Sequence, residues 1–197
     1  MTFPSVLFAI FQAEILNLLV RIYMNTDLVI TFMGNDQPGL VESLASTIVE
    51  EEGNWLESRM CHLGGQFAGV LRVAVPSNCE MTLQDRLKKL EESGLSVAIR
   101  SEPNQAPFES KILVIMELMG NDRVGIVSRI SGLLARLSVN VEDLKTELTT
   151  APMSAELLFK VRAILMLPKD LELDNLRDEL ETVASDLMVD LQLHQAL

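Results

Sequence analysis

Positive charge is what this 197-residue chain has least of. Lys and Arg number 16 against 28 Asp and Glu, a formal net charge of −12. No basic run occurs; the densest positive cluster is Arg86, Lys88 and Lys89 on one short predicted helix. Direct binding to nucleic acid needs cationic side chains that displace counterions from phosphates, so this chain would on average be repelled. A role in gene regulation must therefore pass through another protein. Cysteine is scarce as well: Cys61 and Cys79 are the only two, in no metal-ligand spacing. That is far from the disulfide-dense secreted pattern and points to reduced thiols in a cytoplasmic setting. Catalytic groups are few. Cys61 and His62 are neighbours on a predicted strand, so their side chains point to opposite faces, and His194 has no companion. Glu51 and Glu52 read as a solvated helix end, and the methionines as core filler. No nucleophile–base pair and no metal set can be assembled, so neither enzyme activity nor a cofactor is expected.

A leader and a membrane span are also poorly supported. Phe3 to Tyr23 is apolar, but it has no basic stretch before Val6 and no small-x-small cleavage site. Gln12, Glu14 and Asn17 lie near its middle, and a carboxylate at mid-membrane costs about 2.5–3.5 kcal/mol on insertion scales. Met24 stands immediately before the first regular element. Residues 1–24 are set apart as an apolar N-terminal extension, with Met24 read as the natural start and residues 1–23 as lying upstream of it. An accessory helix at an interface and a membrane anchor are the alternatives.

What the chain does contain is one stretch written twice. Met33-Gly34-Asn35-Asp36-Gln37-Pro38-Gly39-Leu40 returns as Met119-Gly120-Asn121-Asp122-Arg123-Val124-Gly125-Ile126, shifted by 86 positions from Gly34 to Gly120. Each copy follows an apolar strand-like run and opens an amphipathic helix-like run. A sharp strand-to-helix turn leaves the N–H groups of the first helical turn unpaired, which suits a small anionic or zwitterionic ligand. The bland alternative is that Asp36 caps the helix and Gly39 merely permits the turn.

Elements follow in a regular order. Leu28–Met33 predicts a central strand. Leu40, Val41, Leu44, Ile48 and Val49 recur at helical spacing, with Pro38 in the first helical turn. Strands over 54–63 and 66–75 flank the tight turn Gly64-Gly65. A helix over 82–93, capped by Thr82 with Asp85, ends at Gly94, and Leu95, Val97 and Ile99 alternate as a last strand. Pro103, Asn104 and Pro107 mark a linker over 102–110. The order then restarts: strand 111–119, helix 124–137, a hairpin of 139–149 and 155–167 around Ala151-Pro152-Met153-Ser154, helix 170–184, and a strand holding Leu187, Val189, Leu191 and Leu193. Asn54 and Asn140 keep the 86-residue offset. Two βαββαβ units, 25–101 and 111–197, imply an α+β protein of two ferredoxin-like domains in tandem, with antiparallel sheets and helices on one face. The other face of each sheet must be solvated or covered, internally or in a homodimer.

A βαββαβ repeat whose first strand ends in Gly34-Asn35-Asp36-Gln37-Pro38-Gly39-Leu40 resembles the ACT domain, a small-molecule sensing module. Two in tandem resemble the glycine cleavage system transcriptional repressor family, on Leu28–Thr31, Gly34–Val41, Asn54, Glu57–Met60, Leu63-Gly64, Phe67, Ala151–Ser154 and Leu158-Phe159. The resemblance implies a cytoplasmic regulator that binds a small amino acid, glycine or serine, and acts on a transcription activator protein. It implies a ligand carboxylate held by N–H groups around Gly39 and Leu40, with Asp36 or Asn35 accepting from the ammonium group. Asn54 or Asn140 of a neighbouring repeat would close the pocket. The equivalent residues of the second copy are Asn121, Asp122, Gly125 and Ile126, where Val124 replaces Pro38 and weaker binding or packing alone is expected. A structural interaction module that binds no ligand is the competing reading.

Overall fold

In this computed structural model residues 25–102, 112–151 and 156–195 are described. The apolar extension, most of the linker and the tip of the second hairpin lie outside them. The chain divides into two compact units between Ala106 and Pro107. Among the described residues, no helix is long and apolar enough to cross a membrane.

The first unit runs β1 (Asn25–Asn35), α1 (Leu40–Glu50), β2 (Asn54–Leu63), β3 (Gln66–Pro76), α2 (Glu80–Lys89), a 3-10 turn (Leu90–Ser93) and β4 (Leu95–Glu102). The second runs β5 (Ile112–Asn121), α3 (Ile126–Arg136), β6 (Asn140–Thr150), β7 (Leu157–Leu167), α4 (Leu173–Leu187) and β8 (Val189–Gln195). Strand orders are β2-β3-β1-β4 and β6-β7-β5-β8, with every pairing antiparallel. Each sheet is therefore built on the strand that leads into the repeated turn.

Alternation along the central strands decides which face is covered. Leu28, Ile30 and Phe32 of β1 are buried beneath the helices with Leu44, Ile48, Leu71, Leu83 and Leu87. Val114, Met116 and Leu118 of β5 are buried with Ile130, Leu133, Leu165, Leu176 and Leu180. The two cores are separate clusters, each sandwiched between one sheet and its own two helices. The same bulge interrupts both edge strands, at Trp55/Glu57 in β2 and at Val141/Asp143 in β6. Ion pairs tie the helix ends: Arg86 of α2 reaches Glu50 of α1 and Glu51 at its C-cap, and Arg129 of α3 lies 2.8 Å from Asp186 of α4. The paired carboxylates raise the Arg86 pKa above its ordinary value, the Glu51 hydrogen bond being the larger cause.

Three sequence expectations are corrected. The helix expected at Thr82 starts at Glu80, with Cys79 at the N-cap and no side-chain cap bond. A backbone turn makes the start instead, Cys79 N–H donating to Pro76 O at 2.8 Å and Leu83 N–H to Cys79 O at 2.9 Å. Pro38 lies outside α1, because Gly39 is the N-cap. Leu187 is the last residue of α4 rather than part of a strand; Met188, at φ 53, turns the chain into β8.

Candidate functional site

The two repeated turns hold their glycines in the same backbone conformation. Gly39 has φ 95 and ψ −5; Gly125 has φ 98 and ψ −2. This left-handed conformation favours a residue without a Cβ, and it lets the chain reverse from strand to helix. Exchange of Pro38 for Val124 leaves the turn unchanged. Neither helix has a side-chain cap, so Asp36 and Asp122 do not close the helix ends as the bland reading supposes. Each anchors the turn through its backbone instead. Asp36 N–H donates to Gly65 O at 3.2 Å, and Asp122 N–H to Leu157 O at 3.0 Å. Intrahelical bonding begins with Ser43 N–H to Gly39 O and Arg129 N–H to Gly125 O. The amides before them, of Leu40–Glu42 and Ile126–Ser128, are left at the open end.

Each end faces a shallow groove. The first, about 530 Å³, is lined by Asp36, Gln37, Gly39, Leu40, Val41, Glu42, Ala45 and Phe67. The second, about 550 Å³, is lined by the structurally matching residues Asp122, Arg123, Gly125, Ile126, Val127, Ser128, Ser131 and Phe159. Phe67 pairs with Gly34 across β3–β1 and Phe159 with Gly120 across β7–β5, so an aromatic ring floors both. Gly34 is needed for a different reason than Gly39: a Cβ there would come within 2.8 Å of Gly94 O.

Charge separates the two grooves. The first carries Asp36 and Glu42, with His62 Nε2 3.8 Å from Asp36 Oδ2 at its margin. Both partners are more than half exposed, so the pair is weak. The second carries Asp122 with Arg123, two serines and no acidic residue in the first helical turn. Asn35 Oδ1 already accepts from Gln66 Nε2 at 2.8 Å. Asn121 faces Leu158 across the sheet and makes no such bond. His62 was not singled out for this place by sequence reasoning. The signal was there: the Gly64-Gly65 turn sets His62 opposite Phe67, hence beside Gly34 and the first turn.

Of the expected residues, Asp36, Gln37, Gly39 and Leu40 line one groove and Asp122, Gly125 and Ile126 the other, but Asn54 and Asn140 do not join the turn of their own unit. Asn54 pairs with Ala74 and, through it, with Asp27, at the opposite end of β1 from Asn35. At about 3.3 Å per strand residue that is roughly 25 Å away. Asn140 donates to Glu142 Oε1 at 2.6 Å. Cys61 and His62 fall on opposite faces, as expected: Cys61 pairs with Ala68 on the open face and His62 with Phe67 on the helix face. Among the described residues, no group of three His, Cys, Asp or Glu could hold a metal ion.

A family model described as ACT domain matches residues 26–100 and again 111–194. A solved structure of an unknown protein from Galdieria sulphuraria is similar with a TM-score of 0.74 at 24% identity, over 88% of this chain and 99% of that one. The structure of a candidate glycine cleavage system transcriptional repressor is similar with a TM-score of 0.65 at 17% identity, over 88% and 98%. No curated protein matches the chain. At these identities the two structures establish the shared fold.

Proposed function

The chain belongs to the ACT domain family, in two copies, and from that premise we propose that it is an amino-acid-responsive regulator. It works in the cytoplasm as a homodimer and acts through a transcription activator protein rather than on DNA. The observation that carries this reading is the pair of uncapped helix N-termini, each opening on a groove over a phenylalanine. Oriented amides and a positive helix end favour a carboxylate, and an adjacent Asp or Asn accepts from an ammonium group. A small zwitterion such as glycine or serine meets both demands.

The second groove is the better match for that ligand. Arg123 adds a cation for the carboxylate, Asp122 an anion for the ammonium group, and Ser128 and Ser131 hydrogen-bonding hydroxyls. The first groove keeps the equivalent Asp36 but has Gln37 for Arg123 and Glu42 for Ser128, so a carboxylate there meets an added anion and no added cation at short distances where Coulomb terms matter. Ligand binding then shifts the pairing of domains or chains and so alters an interface for the partner. The net charge of −12 disfavours contact with DNA, and the similar structure described as a candidate glycine cleavage repressor suggests the pathway.

Calorimetric titration with glycine and with serine tests the reading. Binding between micromolar and millimolar is expected, weakened at least tenfold by Arg123→Ala. No heat at millimolar ligand would leave a ligand-free interaction module. Pull-down from lysate with and without glycine tests the partner, and an unchanged bound set argues against regulation.

A further inference from the structure

The duplication supplies an internal control, because one fold carries different side chains at matching positions of its helix-free face. In the second domain that face is concave and charged, about 620 Å³. Glu117 of β5 lies 3.4 Å from Arg162 of β7, and Lys145 of β6 lies 3.4 Å from Glu147. Lys160 and Asp190 flank Met119 in the next rung. Register identifies the counterparts in the first domain. Thr31 stands for Glu117, Val70 for Arg162, Ala68 for Lys160, Cys61 for Glu147 and Ser96 for Asp190; only Arg59, for Lys145, keeps its charge. The fold does not dictate this difference. Around Thr31 and Met33 the first domain's open face carries small and apolar side chains, with Met33 54% and Val70 39% exposed, where the second carries ion pairs; its charges, Glu57, Arg72 and Arg100, are gathered in the rung of Val29.

We propose that the helix-free face of the first domain is where two copies of this chain pair, sheet against sheet. The inference deepens the homodimer of the preceding reading by assigning its surface. Four strands about 4.8 Å apart and eight residues long give a face of roughly 500 Å² per copy, about 1,000 Å² for two. That reaches the lower bound for a specific interface.

The rim is self-complementary. Glu57 of β2 and Arg100 of β4 lie in one rung, with Arg72 and Val29 between them, on opposite edges of the sheet. A two-fold axis parallel to the strands sets Glu57 of each copy against Arg100 of the other. The same axis places Val70 over Thr31 and Ala68 over Met33, an aligned sheet packing with an isologous interface. Glu57 is held within its own sheet by Arg72 Nε at 3.2 Å, an ion pair without hydrogen-bond alignment. Arg100 has no ion-pair partner among the described residues. A second copy supplies it.

Light scattering across a concentration series of the full chain tests this. The wild type is expected to be dimeric. A graft of the second domain's pair, Thr31→Glu with Val70→Arg, is expected to raise the dimer dissociation constant at least tenfold with an unchanged circular dichroism spectrum. A folded graft that dimerises like wild type overturns the proposal. So does a wild-type chain that is monomeric throughout; association only after removal of residues 1–24 would then make that segment the occupant. Should the graft unfold, Cys61 on the same face reads the surface independently. In a Cys79→Ala background its reaction with a bulky maleimide should slow as protein concentration rises, and a constant rate overturns the proposal. Glycine calorimetry on the same samples reads the ligand proposal separately, since heat retained by a monomeric graft leaves it standing.

Discussion

Three open glycines separate backbone conformation from space. A Cβ added at Gly39, Gly125 or Gly132 meets nothing within 4 Å. Only the first two have positive φ, where an L-residue pays about 1–2 kcal/mol. Gly132 sits in α3, where replacing Gly by Ala gains about 0.4–1 kcal/mol. Urea denaturation should therefore rank Gly39→Ala and Gly125→Ala below wild type by about 1–2 kcal/mol and Gly132→Ala slightly above it. A stabilised Gly125→Ala would mean the turn relaxes. The need for glycine at these turns was legible in the sequence. The role of Asp36 was not, because an Asp four residues before a helix resembles a cap, whereas its backbone N–H goes to Gly65 on a hairpin that the motif does not contain. His62 was hidden for the same reason: its neighbour is set by register, not by chain proximity.

Elements were read well where periodicity was long and poorly where a backbone turn sets the boundary. The alternation of Leu28, Ile30 and Phe32 and the spacing of Leu44 and Ile48 determine β1 and α1 directly. Cys79 displaced Thr82 as the start of α2 because a backbone hydrogen bond, Cys79 N–H to Pro76 O, sets that boundary and the helix has no side-chain cap. The separate cores make a sharp expectation for the helices. Leu44→Ala, at a fully buried position, should cost the first domain about 2–5 kcal/mol. Hydrogen exchange should show lost protection in β1–β4 with β5–β8 unaffected, and Leu180→Ala the converse. Equal loss in both domains would mean that the cores unfold as one.

At the scale of the whole molecule the duplication sets different side chains at matching positions of one fold. The βαββαβ order, the tandem and the repeated turn could all be read from residues 25–195. The unequal open faces and unequal grooves could not, since they emerge only when strand register brings Thr31 beside Val70 and Glu117 beside Arg162. The Val124 substitution suggested a weaker second turn; the backbone at Gly125 matches that at Gly39, and the proposed reading makes the second groove, with Arg123 and Asp122, the tighter one. Acidity that disfavours DNA and two preserved turns are consistent with the proposed sensing joined to protein partnership. The most direct test is a glycine titration of the isotopically labelled full chain followed by amide NMR. Shifts confined to the turns, with Ile126, Val127 and Ser128 moving at lower ligand concentration than Leu40, Val41 and Glu42, are the expected result. Amides of both turns that stay fixed at millimolar glycine would contradict it.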